Sequence, residues 1–91
     1  MRHRIDLGEK LDTPGLTDLR KRLTEALGHP VELDGGNLRL LGGLCAQLLV
    51  AARHRWVRDG LDFDLLPSQA MRDDIRRLGL ESQLLTQDVQ P

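Results

Sequence analysis

Residues 30–49 read PVELDGGNLRLLGGLCAQLL, and this stretch decides the fold. The alternation of apolar and polar side chains over 31–34 predicts a half-buried strand, and the glycines after it predict a turn. From Gly42 onwards the residues are almost all apolar as far as Ala52. This composition predicts a buried helix that continues to Arg58. A strand, a loop and an abrupt helix start therefore follow one another in the middle of the chain.

The first third of the chain predicts a strand and then a helix. Residues 4–7 alternate polar and apolar side chains, which is typical of a short strand. Leucines and an alanine then recur at helical spacing over 16–27, and Gly28 with Pro30 ends that helix. Asp12 or Thr13 is the expected N-cap.

The last third predicts another strand and another helix. Leu61, Phe63 and Leu65 alternate with aspartates as in a strand with one dry face, and Ser68 is a suitable N-cap for a helix over 69–79. Residues 80–85 predict either a final helical turn or an edge strand. Strands that alternate with helices predict an α/β fold: a small domain with a mixed, largely parallel sheet of about four strands and helices mainly on one face. We expect one domain over residues 1–86 and a frayed tail over 87–91.

Composition narrows the classes of function. The 91 residues carry a net charge of −1, which argues against general attraction to nucleic acid or anionic membranes. Trp56 and Phe63 are the only aromatic residues, so no platform for base stacking is expected. No run approaches the roughly 20 apolar residues of a membrane span, and the N-terminus does not resemble a signal peptide. We therefore expect a cytoplasmic protein without direct membrane insertion.

Reactive side chains form no catalytic or ligand-binding set in the sequence. The single cysteine, Cys45, lies in an apolar helical run and is interpreted as a small buried hydrophobe. The three histidines lack metal-ligand spacing, and neither glycine pair is followed by the Lys-Ser or Lys-Thr of a P-loop. Asp73 and Asp74 have the spacing of helical ion pairs with nearby arginines. We expect no metal, no cofactor and no enzymatic activity.

Three segments, in this order, resemble the STAS domain, the family shared by sulfate transporters and bacterial anti-sigma factor antagonists. The sequence VELD over 31–34 is similar to the family's third strand, and residues 38–47 run without a gap along its strand-to-helix junction. The sequence LLPSQAMR over 65–72, followed by LGL over 78–80, is similar to the fourth strand, capped helix and closing segment. The resemblance covers most of the chain and implies a domain that docks onto other proteins.

The chain departs from the family at the residue that is usually phosphorylated. The family pattern is Asp, then Ser or Thr, any residue, Gly and Leu; here Gly42, Gly43 and Cys45 stand at the acidic, hydroxyl and glycine positions. No Ser or Thr occurs between Leu27 and Pro67. The resemblance therefore implies a docking surface that lacks the phosphorylation switch. The residues expected to form it, with Gly43 at the position of the missing phosphoacceptor, are Gly42, Gly43, Leu44, Gln47, Ser68 and Met71.

The resemblance implies two alternative functions. The first is a bacterial signalling adaptor in partner switching, two-component or chemotaxis regulation, with an anti-sigma or histidine-kinase-like regulator as its protein partner. The alternative is a STAS-type structural subunit that binds the ATPase of a bacterial ABC transporter for lipids. Leucines between 38 and 44 could equally form a homodimer, because an apolar patch does not specify its partner.

Overall fold

The computed structural model describes residues 2–85. The predicted tail at 87–91 lies outside the described residues. The strands are β1 (His3–Asp6), β2 (Lys10–Leu11), β3 (Val31–Gly35), β4 (Leu40–Leu41) and β5 (Phe63–Pro67). The helices are α1 (Leu16–Glu25), α2 (Gly43–Arg58), α3 (Gln69–Arg77) and the short α4 (Glu81–Leu84).

The main sheet has three parallel strands in the order β1-β3-β5. Ile5, Leu33 and Leu65 lie side by side across it, and all three are buried. Arg4, Glu32 and Asp64 form the neighbouring row, which points to the opposite face because successive side chains in a strand alternate. The helices therefore cover the apolar face, as the sequence predicts, and the other face is polar.

A separate two-stranded parallel sheet pairs β2 with β4. The α/β class and the mainly parallel pairing are thus confirmed, with the strands divided into a sheet of three and a sheet of two. The short sheet is extended at both ends by backbone hydrogen bonds, from Arg39 N to Glu9 O at 2.8 Å and from Gly42 N to Leu11 O at 2.7 Å. This pairing holds the segment that leads into α2.

The helix boundaries agree closely with the sequence in the second half of the chain and less so in the first. α2 ends at Arg58, and α3 begins after Ser68, whose hydroxyl accepts a hydrogen bond from Met71 N at 3.0 Å. Before α1, residues Thr13–Gly15 form a 3₁₀ turn. Asp12, one of the two predicted caps, is the N-cap of this turn, which runs directly into α1; neither Asp12 nor Gly15, the N-cap of α1 itself, makes a side-chain capping hydrogen bond.

Leucine supplies most of the core between the sheet and the helices. Val31, Leu33, Cys45 and Leu49 are fully buried. The indole of Trp56 lies 6.0 Å from the ring of Phe63 and donates a hydrogen bond to the carbonyl oxygen of His29 at 2.6 Å. In the described residues, no helix is long and apolar enough to span a membrane.

Candidate functional site

The start of α2 lies on the small sheet and faces outwards. Gly42 is the N-cap in an extended conformation, and its carbonyl accepts the first helical hydrogen bond, from Ala46 N at 2.9 Å. A Cβ built on Gly43 would meet no atom within 4 Å. Leu44, in the first turn, is 58% exposed, and Leu40 just before the helix is 41% exposed. The result is an open surface of backbone and leucine side chains.

Gly42 has a structural role that the sequence did not reveal. A Cβ at this position would lie 3.2 Å from the carbonyl oxygen of Leu11 and 3.5 Å from the Cα of Asp12. The close neighbour of Gly42 is therefore the chain's own β2 region. The small residue is needed to seat α2 on the β2-β4 sheet, whereas Gly43 is the glycine with open space beside it.

The six residues of the predicted docking surface differ in exposure: three are exposed, Gly42 and Ser68 are half-buried, and Met71 is fully buried. Gly43, Leu44 and Gln47 are exposed on α2. Met71 is fully buried, and Ser68 is half-buried with its hydroxyl engaged twice, donating to the carbonyl oxygen of Leu38 and accepting from Met71 N. The inclusion of Met71 as a contact residue is therefore wrong. Ser68 supports the surface from behind.

The leucines around the start of α2 also differ in exposure. Leu38 and Leu41 are buried, and only Leu40 and Leu44 project from the surface. The backbone around them is held by α3: Ser68 bonds Leu38, and a carboxylate oxygen of Asp74 accepts the N–H of Leu41 at 2.9 Å. Asp74 is only 6% exposed and also pairs with Arg77. The helical ion pair predicted for Asp74 is present, but its spacing did not reveal that Asp74 is also the buried link between α3 and β4.

Cys45 is fully buried in the first turn of α2, as predicted. Its thiol donates a hydrogen bond to the carbonyl oxygen of Asp12 at 3.3 Å. Burial raises the pKa of the Cys45 thiol above its ordinary value, and the nearby Asp12 carboxylate raises it further. At this end of the helix the thiol is a packing group.

We expect Cys45 to react slowly with a thiol-reactive disulfide such as DTNB. The thiolate is the reactive form, and both burial and a raised pKa suppress it. If access to the sulfur requires local opening by ~3 kcal/mol, the rate falls about a hundredfold below that of the unfolded chain. The measurement compares the rates in buffer and in denaturant. Equal rates would contradict the buried position.

The polar face of the main sheet carries a network of ion pairs. Arg4 bonds both Glu32 and Asp34, and Arg2 reaches Asp64 at 2.6 Å. A hydrogen bond from Gly36 N at 2.9 Å lowers the pKa of the Asp34 carboxyl, burial opposes this effect, and Arg4 reinforces it. These side chains are partly exposed and mutually paired, which is the pattern of a solvated sheet face.

The three histidine side chains make ring-stacking or hydrogen-bond contacts. The rings of His3 and His29 stack with their centroids 4.5 Å apart and their planes at 10°, a contact that the sequence did not predict. His54 lies 3.1 Å from the side-chain oxygen of Gln83. Within residues 2–85 no three His, Cys, Asp or Glu side chains are grouped to hold a metal ion.

Comparisons with known proteins return no relative of this chain. No protein-family model matches it, and neither the curated proteins nor the solved structures contain a match.

Proposed function

We propose that the protein is a non-catalytic interaction module that docks a partner protein on the start of α2. The observation that carries the proposal is the open first turn of this helix, where Gly43 has no neighbour within 4 Å of a built Cβ and Leu44 is 58% exposed. Leu40 and Leu44 are both exposed next to this accessible backbone, and an exposed apolar patch favours a contact surface rather than a reactive site. The contact residues are Gly43, Leu44 and Gln47, with Leu40 beside them.

The backbone behind this surface is held in place by packing and by hydrogen bonds from α3. Gly42 is packed against β2, Ser68 holds Leu38, and Asp74 holds Leu41. A surface fixed in advance binds with a smaller loss of conformational entropy than one that must be ordered by its partner. The preformed backbone at the start of α2 therefore favours a role in binding a partner protein.

We further propose that the module is a cytoplasmic signalling adaptor of STAS type without phosphorylation at the usual position. The resemblance places Gly43 where the family carries the phosphorylated hydroxyl, and glycine has no group to accept phosphate. The partner would then be an anti-sigma or histidine-kinase-like regulator, and its binding would be controlled by some means other than modification at residue 43.

The experiment that tests this proposal is affinity capture from the native cytosol with the wild type, Gly43→Glu and Gly43→Ala. Glutamate in the first turn is compatible with the helix dipole, so the variant is expected to fold. Its charge at the contact should weaken capture of the partner about tenfold or more, while alanine leaves capture nearly unchanged. Circular dichroism confirms folding of both variants.

The identity of the captured protein decides between the two functions. A kinase-like or sigma-regulatory protein lost with Gly43→Glu supports signalling. A transporter ATPase lost with the same variant supports the alternative, a structural subunit of an ABC lipid-transport complex. Capture that is unaffected by Gly43→Glu and by Leu44→Asp would overturn the α2 start as the docking surface. Stable phosphorylation of the intact protein on Ser or Thr by the captured kinase would contradict a module without that switch.

A further inference from the structure

An apolar groove lies between α1 and α2, on a surface different from the start of α2. Its volume is about 180 Å³. An apolar cavity of about 150 Å³ holds one benzene molecule, so this groove has room for one large apolar side chain. The apolar residues that line it are Leu23, Leu27, Leu48, Ala51, Ala52 and Trp56.

The groove is positively charged at its edge. Arg20 from α1 and Arg55 from α2 line it, and no carboxylate from residues 2–85 does. The Asp59 carboxylate accepts a hydrogen bond from Arg55 Nε at 3.1 Å. The other N–H donors of that guanidinium remain available. Among the described residues, no carboxylate forms an ion pair with Arg20. Two arginines therefore flank an apolar floor.

The two helices that form the groove carry a net positive charge. α2 contains three arginines and no Asp or Glu, and α1 contains three basic and two acidic residues. On the polar face of the main sheet, by contrast, Arg2 and Arg4 pair with the carboxylates beside them. The charge of the two helices therefore attracts an acidic partner to the groove between them.

We propose that the α1–α2 groove binds an acidic amphipathic helix of a partner protein. One large apolar side chain of that helix fills the groove, and carboxylates on either side of it pair with Arg20 and Arg55. A helix fits because the valley between two packed helices accepts the side-chain ridge of a third. Along α2, Leu48, Ala51 and Arg55 are spaced to contact one side of such a helix. This site goes beyond the docking proposed at the start of α2 and does not depend on it.

Trp56 provides a local readout because it is the only tryptophan of the chain and lines the groove. The probes are three synthetic peptides of about 18 residues, long enough for measurable helicity. They share one pattern of leucines at helical spacing and carry glutamate, glutamine or lysine beside it. We expect the glutamate peptide to shift Trp56 emission saturably, and added salt to weaken its binding.

Three variants test the contacts. Arg20→Glu reverses a charge at the edge, and Ala51→Glu places a carboxylate on the exposed wall of the groove. Each should raise the Kd of the glutamate peptide about tenfold or more. Val57→Glu is the matched control, since Val57 is 58% exposed on the same helix and does not line the groove. It should change the Kd by less than about threefold.

The outcomes that overturn the proposal are distinct. The proposal is wrong if the glutamate peptide shows no saturable binding, or if the lysine peptide binds equally well or more tightly. It is also wrong if neither groove variant changes the Kd of the glutamate peptide. Sedimentation of the wild type as a dimer that Ala51→Glu dissociates would assign the groove to a second copy of this chain. None of these results depends on whether Gly43→Glu loses its partner, so the two surfaces are tested separately.

Discussion

Replacing Asp74 with alanine is expected to lower the free energy of unfolding by about 2–3 kcal/mol. Asp74 is 6% exposed, its carboxylate accepts the N–H of Leu41 at 2.9 Å, and Leu41 is itself buried. Alanine leaves that backbone donor without an acceptor, and it also removes the pairing with Arg77. The measurement is urea unfolding followed by Trp56 fluorescence and by circular dichroism, which should give coincident transitions for a two-state domain.

Asp73 supplies the matched control for this substitution. It precedes Asp74 on the same helix, but its side chain is 58% exposed and its ion pair, with Arg76, lies at the surface. Asp73→Ala should change stability by no more than about 0.5 kcal/mol. Asp74→Asn keeps one oxygen acceptor for Leu41 N, but it loses the charge and the second oxygen, which accepts from Arg77, so its effect should lie between the two. Equal effects of Asp73→Ala and Asp74→Ala would show that the link to β4 contributes nothing.

The Asp74 link also bears on the docking surface. It joins α3 to β4 at the residue just before Gly42, which seats the start of α2. Loss of the link should therefore loosen the segment that carries Leu40. We expect amide exchange at Leu41 to increase in Asp74→Ala even under conditions where the domain remains folded.

The elements predicted correctly are those in which one sequence pattern extends over several residues. β3, α2, β5 and α3 were predicted within about two residues because alternation, helical spacing and the Ser68 cap act locally. The β2-β4 sheet is not predicted from the sequence. Each of its strands has two residues, which is too short for a period to be recognised, and the pairing joins positions 30 residues apart.

In the candidate site, too, some features can be predicted from local sequence and others depend on the tertiary fold. Leu38, Leu40, Leu41 and Leu44 are identical in type, yet two are buried and two are exposed, and only the tertiary fold determines which. Likewise nothing local distinguishes Asp74 from Asp73. The position of Gly43 at an open helix start was predictable from its place in the chain, whereas the burial of Met71 behind it depended on how α3 packs.

Replacing Gly35 with alanine is expected to destabilise the fold by about 1–3 kcal/mol. A Cβ at this position would lie 2.7 Å from the sulfur of Met71, 3.3 Å from the carbonyl oxygen of Leu66 and 3.5 Å from Leu7. Met71 is fully buried, so its side chain cannot swing into solvent to relieve the contact. The carbonyl oxygen of Gly35 also accepts hydrogen bonds from Leu38 N and Ser68 N, which link it to the segment before β4 and to the N-cap of α3.

Gly43→Ala is the control, because the same added methyl group meets nothing within 4 Å there. Within a helix, alanine is better than glycine by roughly 0.5–1 kcal/mol, so this variant should be neutral or slightly stabilised. The clash at Gly35 can be isolated by combining Gly35→Ala with Met71→Ala. If the sulfur is the main obstacle, the double variant should be more stable than the sum of the single effects predicts, with a coupling of about 1 kcal/mol. Additive effects would mean that the backbone at Leu66 opposes the methyl group, and an undisturbed Gly35→Ala would contradict close packing of α3 against the end of β3.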